Sequence, residues 1–245
     1  WLVDPNGFNE LKRCRDNVLM LYNKNDHFIG KALHKYGEFS WGEVEIFKQL
    51  VKPDMLVIDA GANIGSHTVQ LAKLAGFVLA FEPQRVAHQT LCANLALNNL
   101  VNARAFHAAL GAKNGIIMAP TLDQTKKGNF GGVILADVVG GEPVDLFTLD
   151  HFEVDQLGFI KADIEGMEYD MLIGGEKTIA KHRPLMYLET CGNKSKETRQ
   201  LLADWNYTCY WHCPFMFNKD NFFGDDEDIF PNIVSVNMIC FPAEG

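Results

Sequence analysis

The sequence predicts an α/β fold: a mostly parallel, seven-stranded sheet wound with helices, ending in an antiparallel hairpin and interrupted by a β-rich insertion. Three observations support this. Short apolar runs at 55–60, 77–82, 158–163 and 185–189 read as strands buried on both faces, as parallel strands are. Helical spacing follows each of them. The last strand-like pieces, 207–212 and 233–241, have no helix between them and read as a long hairpin.

In chain order, an extended segment at Asn17–Tyr22 precedes a helix over 42–51. Strand 55–60 leads to helix 64–75, strand 77–82 to helix 84–98, and a third strand covers about 103–110. Between 111 and 148 the alternation breaks. Gly111, Gly115, Pro120, Gly128, Gly131, Gly132, Gly140, Gly141 and Pro143 punctuate short β-like pieces, which predicts a hairpin-rich insertion at the ligand edge of the sheet. Strand 158–163 then enters a helix from about 167, and strand 185–189 a helix near 195–204. No repeat or low-complexity linker divides the chain. One domain over 42–245 is expected, after an N-terminal β or extended segment at 1–41.

The most informative run is Met55-Leu56-Val57-Ile58-Asp59-Ala60-Gly61-Ala62-Asn63-Ile64-Gly65. Asp59 closes a strand, and Gly61 and Gly65 permit a sharp turn that brings backbone close to a ligand. A strand, a glycine-rich turn and a helix N-terminus make a nucleotide site. The order is D-x-G-x-N-x-G, without the third glycine of the dinucleotide fingerprint. An early carboxylate suits a ligand that carries a cation, such as S-adenosylmethionine with its sulfonium and ammonium. A nicotinamide dinucleotide and a plain tight turn are the other readings. Glu82, 23 positions after Asp59 and held at the strand end by Pro83, can accept from both hydroxyls of a ribose. It supports an adenosine ligand without choosing between the first two.

The second informative run is Phe159-Ile160-Lys161-Ala162-Asp163-Ile164-Glu165-Gly166-Met167-Glu168. A strand there ends in the crevice that the first turn faces, so Asp163 and Glu165 are expected to point at the reacting groups. Helix capping accounts for Glu168. Lys161, in a buried strand, is expected to pair with an acid. Glu189 ends the next strand, and His212 lies near a strand end on the same side; both are candidates for acid–base work. No metal is expected, because no dense carboxylate cluster is evident. The lesser reading puts a divalent cation on Asp163 and Glu189, where it would acidify a diol.

Composition narrows the partners. Hydrophobic residues make up 47% of the chain and charged residues 22%, and the net charge is −9, which argues against nucleic acid and anionic membranes. No apolar run approaches the roughly 20 residues of a membrane span, and no signal-peptide pattern opens the chain. Trp1 in place of methionine points to a missing natural start. The six cysteines at 14, 92, 191, 209, 213 and 240 are scattered, as suits a reducing cytoplasm. Cys92 and Cys240 read as core residues, and Cys209 and Cys213 around His212 lack a second pair for zinc. Phe215, Phe217, Phe222, Phe223 and Phe230, interleaved with Asn218, Asn221 and Asp225, would suit a sugar ring or a homodimer contact.

In this order the motifs resemble the FkbM family of S-adenosylmethionine-dependent methyltransferases. The resemblance runs from about Asp26 to Pro242. It rests on Tyr36-Gly37-Glu38-Phe39, on Asp59 to Thr68, on Ala80-Phe81-Glu82-Pro83, and on Asn94-Leu95-Ala96-Leu97-Asn98. Asn129-Phe130-Gly131, Leu149-Asp150, Lys161 to Glu168 and Arg183-Pro184 through Glu189 complete it, with Ala162 where the family usually has isoleucine. The resemblance implies the Rossmann-like class I methyltransferase fold. It implies S-adenosylmethionine held by Asp59, Gly61, Asn63, Gly65 and Glu82, with Ala62, His67, Thr68 and Pro83 beside them. It also implies methyl transfer to a hydroxyl of a sugar, glycan or other natural product, with Asp163, Glu165, Glu189 and His212 as the candidate catalytic groups. An NAD-linked oxidoreductase is disfavoured by the absent third glycine and the terminal hairpin. A non-catalytic binding protein is disfavoured by the intact turn and acid block. Base methylation lacks its aromatic D/N-P-P-Y/F slot, since the strand ends Ala162-Asp163-Ile164-Glu165.

Overall fold

A computed structural model describes residues 7–135, 140–190 and 194–243; Cys191 falls outside them. The chain opens with a hairpin of β1 (Asn9–Arg13) and β2 (Leu19–Asn23), then α1 (Ile29–Tyr36) and α2 (Trp41–Leu50). The central units follow: β3 (Leu56–Ala60), α3 (Thr68–Leu74), β4 (Phe77–Phe81), α4 (Arg85–Leu97) and β5 (Ala103–Phe106). Next come β6 (Ala108–Leu110), β7 (Gly115–Ala119) and β8 (Glu142–Phe147). The second half holds β9 (Phe159–Ala162), α5 (Glu168–Gly174), α6 (Glu176–His182), β10 (Leu185–Glu189) and α7 (Ser195–Asp204). It closes with β11 (Tyr207–His212) and β12 (Asn237–Pro242).

Seven strands form one sheet in the order β11-β12-β10-β9-β3-β4-β5. All neighbours are parallel except β12, which runs antiparallel to both β10 and β11. From β3 the chain steps outward to β4 and β5, then returns to β9 and steps the other way. That reversal leaves a crevice beyond the carboxyl ends of β3 and β9, where open α/β sheets bind ligands. Alternating side chains feed two cores. Val57, Val78, Phe159 and Tyr187 pack under Phe47, Val69, Leu71 and Leu91 on one face. Ile58, Phe81, Ile160, Met186 and Leu188 pack under Met171, Leu172, Ile179 and Leu202 on the other. No described helix is long and apolar enough to cross a membrane.

The predicted sheet and terminal hairpin are found, and four details differ. The helix α1 lies where the sequence predicts a β or extended segment; its buried Ile29, Ala32, Leu33 and Tyr36 keep helical spacing, and Gly37, at φ 68°, ends it. The strand expected over 103–110 breaks after Phe106. Its second half leaves the main sheet to pair with β8, which also pairs antiparallel with β7. These pairings make a small three-stranded sheet, whereas the stretch between β7 and β8 has little regular structure where described. The helix expected from 64 starts at Thr68, because 61–67 form the turn. Cys92, read as a core residue, is exposed on α4.

The N-terminal hairpin is fastened to this domain by two side chains of the Asn94–Asn98 motif. Buried Asn94 accepts from Leu21 N (2.7 Å) and donates to Leu21 O (3.0 Å) and Ile64 O (2.7 Å). Asn98 repeats the exchange with Leu19 N (2.8 Å) and Leu19 O (2.7 Å). Each amide thus satisfies β2 as a neighbouring strand would. Replacing Asn94 by alanine strands buried partners on both elements; a loss of about 2–3 kcal/mol is expected, read from the urea midpoint at constant slope.

Candidate active site

The turn after β3 is built from three left-handed residues, Gly61 (φ 75°), Asn63 (φ 50°) and Gly65 (φ 86°). A Cβ on Gly61 would collide with the carbonyl oxygen of Asp163, so glycine lets the tails of β3 and β9 touch. Asn63 tolerates its conformation because its Oδ1 accepts from Ile64 N at 2.8 Å.

Asp59 lies wholly buried under this turn and does not line the cleft. Its Oδ2 accepts from Thr68 Oγ1 at 2.6 Å, and its Oδ1 is 3.3 Å from Lys161 Nζ. Lys161 also donates to Gly61 O (3.1 Å) and stands 3.7 Å from Asp163 Oδ2. Burial works against the ammonium, but the charges of Asp59 and Asp163 outweigh it and hold Lys161 above the ordinary lysine value. The acid that Lys161 was expected to meet is therefore chiefly Asp59. Thr68 and Gly65 likewise brace the turn.

Glu82 sits at the end of β4. Its Oε2 accepts from Asn63 N (2.8 Å) and its Oε1 from Gln84 N (2.7 Å). Burial pushes its carboxyl up to about 7 against the pull of those two N–H groups. It stands where two cavities meet. The smaller, about 40 Å³, is a slot with Phe81, Pro83, Leu110, Val133, Leu135, Ile164 and Met167 on its apolar side and Gln84, Asp163 and Glu165 on its polar side. The larger, about 240 Å³, is lined by Gly61, Ala62, Asn63 and His67 from the turn, and by Glu43, Lys161, Asp163, Glu165 and Glu189. Phe28, Phe39, Met216, Ile233 and Val234 supply its apolar wall.

The structure brings three of the four predicted catalytic groups together. One carboxylate oxygen from each of Asp163, Glu165 and Glu189 lies within 4.8 Å of the other two. This is the dense cluster that the sequence did not reveal, because Glu189 comes from a strand 24 residues away from Glu165. Burial, and next the charge of Asp163, push the Glu165 carboxyl up to about 7. Glu168 stands in the first turn of α5, where its side chain accepts from Ile164 N at 2.9 Å in the preceding turn and makes no cap bond to the helix itself. His212 does not join the cluster: its Nδ1 is 2.9 Å from the Tyr187 hydroxyl, and it is not among the residues lining either cavity. His67 is 5% exposed and packs against Phe39 and Phe47. Its Nδ1 is 3.8 Å from Glu43 Oε2, and its Nε2 has no hydrogen-bond partner among the described residues.

Sequence reasoning missed Glu43 and the apolar wall. Glu43 lies three residues after Ser40, whose hydroxyl donates to it at 2.8 Å; that S-x-x-E spacing was the available signal. The aromatic loop also meets the cleft differently from expectation. Phe215, Phe222 and Phe223 are exposed and Phe230 is buried against Phe28 and Tyr36, so Met216, Ile233 and Val234 form the wall. Glu38 pins this loop, accepting from Arg15 Nη1 (2.7 Å), Asn218 Nδ2 (2.7 Å) and Phe222 N (3.0 Å).

The family model for the methyltransferase FkbM domain matches residues 59–209. Among solved structures, methyltransferase FkbM from Methylobacillus flagellatus KT aligns with a TM-score of 0.57 at 18% identity, covering 86% of this chain and 50% of that one. The tRNA (uracil-54, C5)-methyltransferase of Pyrococcus abyssi, solved with S-adenosyl-L-homocysteine, gives 0.52 at 12% identity, covering 96% and 44%. Trm5b of the same organism gives 0.51 at 13%, covering 98% and 57%. The chain thus spans about half the length of these solved relatives. The fold they share with it is that of class I S-adenosylmethionine-dependent methyltransferases. No curated protein matches the chain.

Since Asp59 neutralises a buried lysine, Asp59→Ala is expected to act first on stability. A loss of about 3–5 kcal/mol, near 10 °C in thermal midpoint, should appear in calorimetric melting without any ligand present.

Proposed function

The chain belongs to the FkbM methyltransferase family, and on that premise we propose that it methylates a hydroxyl oxygen of a sugar, glycan or related natural product with S-adenosylmethionine as donor. The observation that supports this most is the buried Glu82 carboxylate at the junction of a part-apolar slot and a carboxylate-rich cavity. The residues present fit the donor. The slot suits an adenine ring. Glu82 uses one lone pair of each oxygen on backbone N–H groups, which leaves the others for ribose hydroxyls. The acid-lined cavity beside it suits a sulfonium and an ammonium.

When bound, S-adenosylmethionine supplies a methyl group on a sulfonium, so that forming an O–C bond breaks the C–S bond and leaves neutral S-adenosylhomocysteine. The protein's own task is then alignment. Asp163 and Glu165 line both cavities and so stand at the meeting point of donor and acceptor. There they orient the attacking hydroxyl and receive its proton. Met216, Ile233, Val234 and Phe39 keep water from the acceptor side. Carboxylates around the cleft disfavour phosphorylated or carboxylated acceptors and favour neutral polyols.

Titration calorimetry of S-adenosylmethionine, S-adenosylhomocysteine and NAD separates the readings. Saturable binding of the first two, weakened about tenfold or more in Glu82→Gln, is expected. Binding of NAD alone would overturn the proposal. Affinity for S-adenosylhomocysteine should also fall as pH drops through about 7, because the ribose needs the Glu82 carboxylate ionised. One proton must leave Glu82, so the dissociation constant should rise about tenfold from pH 8 to pH 6, and that part of the rise should be absent in Glu82→Gln. Once labelled-methyl screening has found an acceptor, Asp163→Asn should keep donor affinity and lose turnover; unchanged turnover removes Asp163 from the mechanism.

A further inference from the structure

Two of the cysteines that look scattered in the sequence meet in the fold. Cys209 and Cys240 lie 31 positions apart, on β11 and β12, and stand directly opposite one another in that antiparallel pair. Their Sγ atoms are 3.0 Å apart, and both are free thiols. Both belong to the core that Leu201 and Leu202 of α7 cover. A single cysteine there would be no more than a small apolar residue. Two opposed ones meet the geometry of a bond. Residues that face each other across an antiparallel pair have Cα atoms about 4.5–5.5 Å apart, within the roughly 4.4–6.8 Å that a disulfide spans. An S–S bond of about 2.0 Å therefore asks for a sulfur movement of about 1 Å and no shift of register.

The two thiols are unequal in the way that forming such a bond requires. Cys240 is fully buried, whereas Cys209 is half-buried on the strand at the edge of the sheet. Their hydrogen bond holds the Cys209 thiol below its ordinary value; the same bond, and next burial, push Cys240 above it. Cys209 is thus the thiolate that meets an oxidant from solvent, and Cys240 is the partner that completes the bond. Their place in the fold gives the bond a consequence. The segment between β11 and β12 carries Met216, Ile233 and Val234 of the larger cavity's apolar wall. Hydrogen bonds continue from the stem into that segment, with Met216 N donating to Ile233 O and Ser235 N to Pro214 O, each at 3.0 Å. A covalent tie in the stem fixes the two sides of the wall above it.

We propose that Cys209 and Cys240 are a redox-modified pair, converted reversibly by a disulfide oxidant of the glutathione class to an intrachain disulfide that locks the stem of the segment walling the cleft. The Cys209 thiolate attacks one sulfur of oxidised glutathione, which forms a mixed disulfide and releases one glutathione thiolate. Cys240 then gives up its proton and attacks the Cys209 sulfur, forming the Cys209–Cys240 bond and releasing the second glutathione. The two thiols lose two electrons and two protons in all, and these leave as two molecules of reduced glutathione. Excess reduced glutathione runs the same steps backwards. The pair acts independently of what the cleft transfers.

The test is incubation of the reduced full chain in glutathione buffers of rising oxidised fraction, followed by acid quenching, alkylation and peptide mapping by mass spectrometry. One Cys209–Cys240 linkage within a single chain is expected, lost on adding dithiothreitol. Because the bond closes a loop of roughly 30 residues, calorimetric melting should place the oxidised chain about 5–10 °C above the reduced one. That rise should be absent in Cys209→Ala. In Cys240→Ala, Cys209 should be recovered as a stable glutathione adduct. Should either variant fail to fold, the wild-type map and melt decide. Cys209 and Cys240 left unlinked in every buffer, Cys209 joined instead to Cys213 or to another chain, or a midpoint unmoved by the linkage overturns the proposal.

Discussion

Asp59 and Lys161 stand opposite one another on β3 and β9, the pair of strands at which the sheet changes direction. Both are buried, and an isolated charge at either position would be strongly destabilising there. The pair does not exist for net stability, since well-packed apolar residues would serve at least as well. What it supplies is direction. The ammonium reaches from Asp59 to the carbonyl of Gly61 and the carboxylate of Asp163, and Asp59 holds the hydroxyl that opens α3. Turn, helix start and acid block are thereby registered against one another. The cleft inherits its shape from a buried ion pair at its base.

Seen this way, the cleft has two kinds of acid. Asp59 and Glu168 are spent on the scaffold, one on a lysine and one on a backbone N–H. Glu82, Asp163, Glu165 and Glu189 line the cavities of the cleft. The raised carboxyls of Glu82 and Glu165 follow from that placement, because burial without a full set of partners makes the anion costly. Crowding like charges in one cleft is a strain that positive charge nearby offsets, as Lys161 does for Asp163.

The four central strands of the sheet were legible in the sequence because they are apolar and each ends in a marker, Asp59, Glu82, Asp163 or Glu189. Those markers also gave most of the candidate site. What the sequence concealed was depth and distance. Asp59 and Glu82 look alike as strand-end acids, yet one is sealed beneath a glycine turn and the other opens on a cavity. Glu43, four residues past the Tyr36–Phe39 motif, and Met216, far from any motif, meet the cleft only through tertiary packing. The short helix α1 escaped because its eight residues follow an irregular stretch, although its apolar spacing was sound. His212 looked available at a strand end, and the Tyr187 hydroxyl across the hairpin engages it.

Glu38 gives the molecule one further property. A residue just past α1 grips both Arg15 near the start of the chain and the 218–222 loop near its end. Tyr36 adds to that grip, donating to Glu227 O (2.9 Å) and accepting from Ile229 N (2.8 Å). The apolar wall of the larger cavity is thus not a cassette that could be exchanged alone between relatives. A transplanted C-terminal loop would arrive without the N-terminal residues that shape it. Diversification of acceptor choice in this scaffold is therefore expected to proceed by paired change at the two ends of the chain, leaving the sheet between them untouched.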